Sequence, residues 1–328
     1  MADRAAAVPI FPLDTLEQHV EALRAACHET GLFYLRLDDA EACERCAAAA
    51  RAFFDGDAET KAACSYEASP AFRGYMRLGV ENTAGVVDAR EQIELGREDG
   101  SCDGVAQRLV GANRWPDDNG KLRDACEPWL ASMGSAAARV TQALSLGLGL
   151  EASALDELVL GTTPHWQAKL ASYPPNVGPG VGAHSDSGWL TLLWADQPGL
   201  EAQLRTGEWV AVPPVDGAVA VNLGEMLQLA SGGYYRATPH RVAKCVRRRV
   251  SLPFFWNPSL SAVVDVVCDP SQLPWTRARP PPEQRHSLLR AYGANAFKSL
   301  ARSHPRVFER HHPDLYVKED GTVAARDV

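Results

Sequence analysis

The sequence has no stretch approaching about 18 uncharged apolar residues, so nothing in it reads as a membrane span. It lacks a basic excess: 33 Lys and Arg stand against 41 Asp and Glu, a net charge of -8. That balance argues against a nucleic-acid binder, because phosphates would go unneutralised. A small anionic ligand stays open, since one buried Arg is enough to hold it. The N-terminal MADRAAAVPIFPLD has only a weak, proline-broken apolar run and does not read as a signal peptide. No second cysteine pair accompanies the Cys43-x-x-Cys46 spacing, which lies in the alanine-rich EACERCAAAA, so no zinc site is built there. Eight scattered cysteines in 328 residues instead fit reduced thiols and a cytoplasmic protein. Internal repeats and low-complexity tracts are missing too. What is present is a globular composition, 46% hydrophobic and 23% charged, in a chain long enough to fold without disulfide staples.

The first half reads as helix-rich. Leu16, Val20, Leu23 and Cys27 recur at helical spacing across residues 13–29, with Gly31 placed to end the helix. A short buried strand follows at 32–35, then a helix over 40–54 stopped by Asp55-Gly56. Residues 65–100 read as loop, and a long helix is expected over 121–148, with Pro128 near its start. From Pro164 the character changes to short β-type runs at 167–173, 190–195, 209–212, 218–223, 240–242, 250–256 and 262–267. Strands at such spacing, broken by Pro, Gly, Asn and Asp, suggest a sandwich or barrel. The expectation is therefore one domain, mainly β with flanking helices. A helix-rich part (1–163) precedes a β core (164–268), and a C-terminal part (269–328) holds a helix over 282–303 and a polar, peripheral tail.

The chemistry-bearing pattern is His-x-Asp/Glu. On a strand, residues i and i+2 point to one side, so a His and a carboxylate at that spacing can reach one metal ion. A second His completes the facial triad that holds iron(II) and leaves positions open. The pattern occurs three times, at His19-Val20-Glu21, His184-Ser185-Asp186 and His312-Pro313-Asp314. The first lies in a helix, where i and i+2 diverge, and the third has no later histidine. His184 and Asp186 lie in the strand-rich part, and His240 is the one histidine between 187 and 285. Spacing alone leaves a bland reading standing, in which both histidines are ordinary polar residues at strand ends. Arg249 and Ser251 add context. They share a face of one strand, where an Arg gives a bidentate grip on a carboxylate and a Ser hydroxyl adds a hydrogen bond.

In ordered pieces over most of its length, the sequence resembles the isopenicillin N synthase-like group of iron(II)/2-oxoglutarate oxygenases. The pieces are Phe72-Arg73-Gly74-Tyr75 with Glu81 and Glu91, Asn113-Arg114-Trp115-Pro116, Tyr173-Pro174-Pro175, Gly182-x-His184-Ser185-Asp186, Val221-Asn222-Leu223-Gly224, Thr238-Pro239-His240-Arg241-Val242 and Arg249-x-Ser251. The resemblance implies a double-stranded β-helix (jelly-roll) core with His184, Asp186 and His240 binding Fe(II) at its open end. It implies that Arg249 and Ser251 hold the distal carboxylate of 2-oxoglutarate, with Tyr173 toward its other end, and that O2 is the oxidant. A C–H of a small molecule would be hydroxylated, desaturated or cyclised. Arg73, Tyr75, Leu190, Phe255 and Tyr292 are the candidates to meet that substrate, and a monomer is expected. Ala171, Gly224-Glu225 and Arg36-Leu37-Asp38 depart from plant members and resemble the bacterial branch that includes the ethylene-forming enzyme. An oxidase of the same fold that does not use 2-oxoglutarate is the alternative, because it shares the Arg-x-Ser.

Overall fold

The structure, a computed structural model, describes residues 8–83, 86–100, 102–157, 161, 163–274 and 288–326. In chain order, β1 (Ile10–Pro12) and β2 (Leu32–Arg36) bracket α1 (Val20–Glu29). Next come α2 (Glu41–Asp55), α3 (Ala58–Ala63), β3 (Gly74–Met76), β4 (Asn82–Thr83), β5 (Val86–Val87) and β6 (Glu91–Gly96). The long α4 (Lys121–Gly147) leads to β7 (His165–Tyr173), β8 (Val181–His184), β9 (Leu190–Ala195), β10 (Leu200–Gln203), β11 (Trp209–Ala211) and β12 (Ala218–Leu223). After α5 (Glu225–Ala230) follow β13 (His240–Val242), β14 (Arg249–Asn257), α6 (Tyr292–Ser303), α7 (Pro305–His311), β15 (Leu315–Val317) and β16 (Val323–Ala325).

Eight strands form the major sheet in the order β1-β2-β12-β9-β14-β7-β6-β3, and four form the minor sheet, β11-β10-β13-β8. This is the jelly-roll expected. The register of β14 shows how the sequence uses both faces of the major sheet. Val250, Leu252, Phe254 and Trp256 alternate with Arg249, Ser251 and Phe255, and nearly all are buried. The first set meets the helical layer: Phe254 packs edge-on to Trp129 of α4 at 6.3 Å and stacks on Trp166 at 5.8 Å. The second set turns to the other face, by the alternation of a pleated strand. One hydrophobic cluster runs from Leu16 and Leu23 through Trp129 and Met133 to Phe254 and Phe297. At the end of α1, Gly31 has φ +62, and a Cβ there would lie 1.9 Å from the Arg236 carbonyl oxygen, so only glycine fits.

Several expectations are corrected. Residues 65–100 are not merely loop: β3 and β6 extend the major sheet, with Gly74–Met76 paired to 92–94. Glycine punctuation hid strands that are short and lie at an edge. Residues 262–267 form no strand; Val263 makes only an isolated bridge to Ala291. The first helix opens as a 3-10 turn, Leu16–His19, before α1. The C-terminal helix starts at Tyr292, and the earlier part of its expected range falls largely on 275–287, outside the described residues. The tail is not peripheral throughout, for Val307, Phe308, His312 and Leu315 are buried. β8 and β10 were not anticipated, since each is four residues long and half-exposed.

Candidate active site

His184 ends β8 and His240 begins β13, and the two are register partners across the minor sheet. Asp186 lies just past the strand, in the β8–β9 turn, where its carbonyl oxygen accepts the Glu225 N–H at 2.8 Å. Nδ1 of His184 is tied to the Gly182 carbonyl oxygen (2.8 Å), and Nδ1 of His240 to that of Thr238 (3.0 Å). With Nδ1 engaged in this way, each Nε2 is left as the free lone pair. Both Nε2 atoms face Asp186 Oδ1, at 3.6 and 3.7 Å, and the ligand atoms of the three residues lie within 4.8 Å of one another. Burial pushes the Asp186 carboxyl up, but His240, His184 and the donors Thr191 and Asn222 hold it below its ordinary value. Burial, then His240, pushes His184 down to about 4. Two imidazoles and one carboxylate turned toward one point are a donor set suited to a divalent iron.

Thr191, Leu193 and Ala195 share a face of β9. Thr191 touches Asp186 at one end, while Leu193 and Ala195 border a space of about 20 Å³ that Arg249 also borders. Arg249 is fully buried, and its Nε donates to the Gln197 carbonyl oxygen at 3.1 Å. Its two terminal nitrogens have no acceptor among the described residues. A buried guanidinium with an open fork is destabilising until an anion fills it, and its planar pair of donors matches a carboxylate. Ser251 is one strand pitch away, and Tyr173 lies opposite Arg249 in register, its ring 4.9 Å from the guanidinium. Its hydroxyl is hydrogen bonded to Ser251 and Arg90; burial raises that hydroxyl, but Arg90 and Arg249 bring it below its usual value. Tyr173, expected toward the opposite end of the co-substrate from Arg249, stands beside Arg249.

A cavity of about 1050 Å³ opens beside the triad. Leu190, Phe255 and Tyr292, three of the candidates to meet a substrate, line it. Arg73 does not. Its guanidinium is buried against Gly96 and donates to the Leu95 and Leu109 carbonyl oxygens at 3.0 and 3.1 Å, clamping β6 to the following segment. Tyr75 does not line it either; its hydroxyl donates to Glu91 at 2.8 Å and its ring meets Phe53.

Of the opposite wall of this cavity, the sequence singled out Glu81 alone. Lys169 Nζ lies 3.0 Å from Glu81 and 2.7 Å from Glu94, while Arg90 pairs with Glu81 and, at 3.2 Å, with Asp88. His304, at the end of α6, comes within 3.8 Å of both glutamates. Burial pushes the Glu81 carboxyl up, yet Arg90, Lys169 and His304 carry it well below the usual range. Glu81, Glu94 and His304 have the spacing of a metal cluster, but the Lys169 ammonium already supplies the positive charge between the two carboxylates. One signal was available: Lys169 and Tyr173 are four apart on one strand and so share its face.

Comparison with known proteins agrees with this geometry. Residues 156–258 match the 2OG-Fe(II) oxygenase superfamily, and residues 8–118 match the non-haem dioxygenase in morphine synthesis N-terminal family. A homoarginine-6-hydroxylase of Oryza sativa subsp. japonica is 30% identical over 270 residues, covering 77% of this chain and 82% of the relative. A 2-oxoglutarate-dependent dioxygenase of Gibberella zeae is 33% identical over 304 residues, 80% of this chain and 78% of the relative. Among solved structures, a full-length Neurospora crassa protein in complex with alpha-KG shares the fold, with a TM-score of 0.72 at 21% identity over 92% of this chain and 98% of that one. JOX2 in complex with 2OG, Fe and JA gives 0.68 at 27% identity over 79% and 77%. The chain belongs to the 2OG-Fe(II) oxygenase superfamily and is a dioxygenase dependent on Fe(II), 2-oxoglutarate and O2.

Proposed function

We propose that His184, Asp186 and His240 hold the Fe(II), that Arg249, Ser251 and Tyr173 receive the distal carboxylate of 2-oxoglutarate, and that the reaction oxidises a C–H of a small polar molecule. The observation that carries this reading is the pairing of two open donor sets. Three ligand atoms face one another, and an unfilled guanidinium fork lies buried at the far end of the β9 and β14 faces. When bound, Fe(II) would let O2 act as the oxidant, with two of its four electrons drawn from 2-oxoglutarate as it is oxidised to succinate and CO2 and two from the substrate C–H, while the protein supplies orientation and a dry setting. His184 and His240 keep their Nε2 lone pairs inward through their Nδ1 bonds. Leu190, Phe255 and Tyr292 line the cavity into which His184 and Asp186 also open.

The cavity also favours a hydrophilic substrate over a terpenoid one. Glu81, Arg90, Glu94 and Lys169 line it, and this paired network gives the wall a polar surface that a polar molecule can hydrogen bond and an apolar one cannot. Relatives named as hydroxylases of the amino acid homoarginine fit the same expectation. We read the chain as one domain, supported by the shared core, and its eight free cysteines fit a reducing compartment; a monomer remains the expectation of the sequence alone. Among the described residues no helix is long and apolar enough to cross a membrane. Placement beside the ethylene-forming enzyme rests on sequence departures alone; the relatives named above are plant and fungal and lend it no support.

The test is a screen of amino acids and peptidic or terpenoid acids for substrate-stimulated succinate release. Succinate should form in step with oxygen consumed, most strongly with amino acids. Oxygen uptake without succinate would favour the oxidase alternative, and stimulation by terpenoid acids alone would remove the hydrophilic assignment.

A further inference from the structure

Asp186 turns its two carboxylate oxygens to different partners. Oδ1 faces the two histidines, while Oδ2 accepts a hydrogen bond from Thr191 Oγ1 at 2.5 Å and another from Asn222 Nδ2 at 2.8 Å. Thr191 and Asn222 are direct register partners on β9 and β12, so one cross-strand pair supplies both donors. Both side chains are buried, at 4% and 6% exposure, and water offers them little in exchange.

We propose that Thr191 and Asn222 are positioning residues that hold Asp186 to a single metal-ligating oxygen and thereby keep three of the metal's octahedral positions free. This rests on the reading of His184, Asp186 and His240 as the Fe(II) ligands. For Oδ2 to join Oδ1 on the metal, it would have to give up two buried hydrogen bonds, and each donor left unpaired would carry a desolvation cost. A carboxylate binding through both oxygens would raise the protein's ligand atoms from three to four. Only two positions would then remain, as many as a chelating 2-oxoglutarate fills alone, with none left for the oxidant. The two donors also fix the rotation of the carboxylate, so that Oδ1 meets the histidine Nε2 atoms without a search. Asn222 thus gains a role from its strand position that its motif alone does not reveal.

The experiment uses the full chain under anaerobic conditions. Fe(II) affinity is measured by competition with a chromogenic chelator for the native protein and for Thr191→Val, Thr191→Ser, Asn222→Ala and the Val/Ala double variant. Thr191→Val and Asn222→Ala should each weaken Fe(II) binding about 10- to 100-fold, the range for partners that orient a metal ligand. Thr191→Ser, which keeps the hydroxyl, should stay near the native value. Infrared difference spectra of Fe(II) addition, with isotope-labelled Asp, give a second readout. The separation of antisymmetric and symmetric carboxylate stretches is wide for one ligating oxygen and narrow for two, and it should narrow in the double variant. Native affinity and an unchanged separation in a folded double variant would overturn the proposal. If the double variant does not fold, equal affinities for the Val and Ser variants at Thr191 would overturn it instead. Failure of the native protein to bind Fe(II) would overturn the ligand assignment beneath it, a different and recognisable result.

Discussion

The two walls of the central cavity are built from opposite kinds of polar group. On the triad wall the groups are open, for His184 and His240 direct bare lone pairs inward; beside a separate small space on the major sheet, Arg249 keeps two nitrogens with no acceptor among the described residues. On the facing wall the groups are closed on themselves, with Lys169 between Glu81 and Glu94 and Arg90 between Glu81 and Asp88. The two meet at Tyr173, whose hydroxyl is hydrogen bonded to Arg90 on one side and Ser251 on the other. An open donor set is costly to bury and is stabilised by a ligand. A closed network needs no ligand and instead fixes the shape and polarity of the space. The difference separates residues expected to control metal and co-substrate from residues expected to control stability and substrate choice.

The sharpest way to break this contrast is to remove a member of each wall. Asp186→Ala should weaken Fe(II) by more than about 100-fold, beyond the loss expected for an outer partner, and abolish succinate release. Without metal its melting temperature should fall less than that of the Lys169 variant below, because only the Thr191 and Asn222 donors lose their acceptor. Anaerobic Fe(II) titration and calorimetry check both halves; native affinity would dismiss the triad. Lys169→Met should do the reverse. It leaves Glu81 and Glu94 facing each other in a buried site, and should cost about 3–5 kcal/mol of stability in urea unfolding. Fe(II) affinity should hold. A loss under about 1 kcal/mol would mean that water already satisfies the network and that the wall is not closed.

The open wall was largely legible in the sequence and the closed wall was not, for a physical reason. A triad needs residues of fixed type at fixed strand spacing, so His184 and Asp186 stand two apart and Arg249 and Ser251 repeat that interval. A charge network needs only that charges meet in space. Glu81, Arg90 and Glu94 come from a stretch whose glycines read as loop, Lys169 from the middle of an apolar strand, and His304 from a helix end more than 130 residues later. No local pattern joins them. The same limit misplaced Arg73 and Tyr75, which lie in a segment resembling a substrate-facing one but turn to Leu95, Leu109 and Glu91.

Arg249→Lys sharpens the contrast among the open groups. The fork becomes a point charge, so one of two charge-assisted bonds to a carboxylate is lost. At about 1.5–3 kcal/mol for such a bond, KM for 2-oxoglutarate should rise roughly 10- to 100-fold. Fe(II) affinity should not move, because Arg249 stands at the far end of the β9 face from Asp186. An unchanged 2-oxoglutarate dependence would take Arg249 out of its assigned role.

Tyr75→Phe carries the smallest expected effect and tests where the cavity ends. The change removes one hydroxyl, whose bond to Glu91 is part-buried, while Glu91 keeps Lys61 at 3.3 Å. The loss should be about 0.5–1.5 kcal/mol of stability, the worth of one such bond. Substrate KM should not change, since the ring packs on Phe53 away from the cavity. Tyr292→Phe is the control, because Tyr292 is buried and lines the cavity directly. Removing its hydroxyl alters the surface a substrate meets, so KM should respond there even if stability does not. If Tyr75→Phe shifts KM and Tyr292→Phe leaves it alone, the substrate lies on the β3 side of the sheet. The closed wall would then border the substrate's route rather than its binding site.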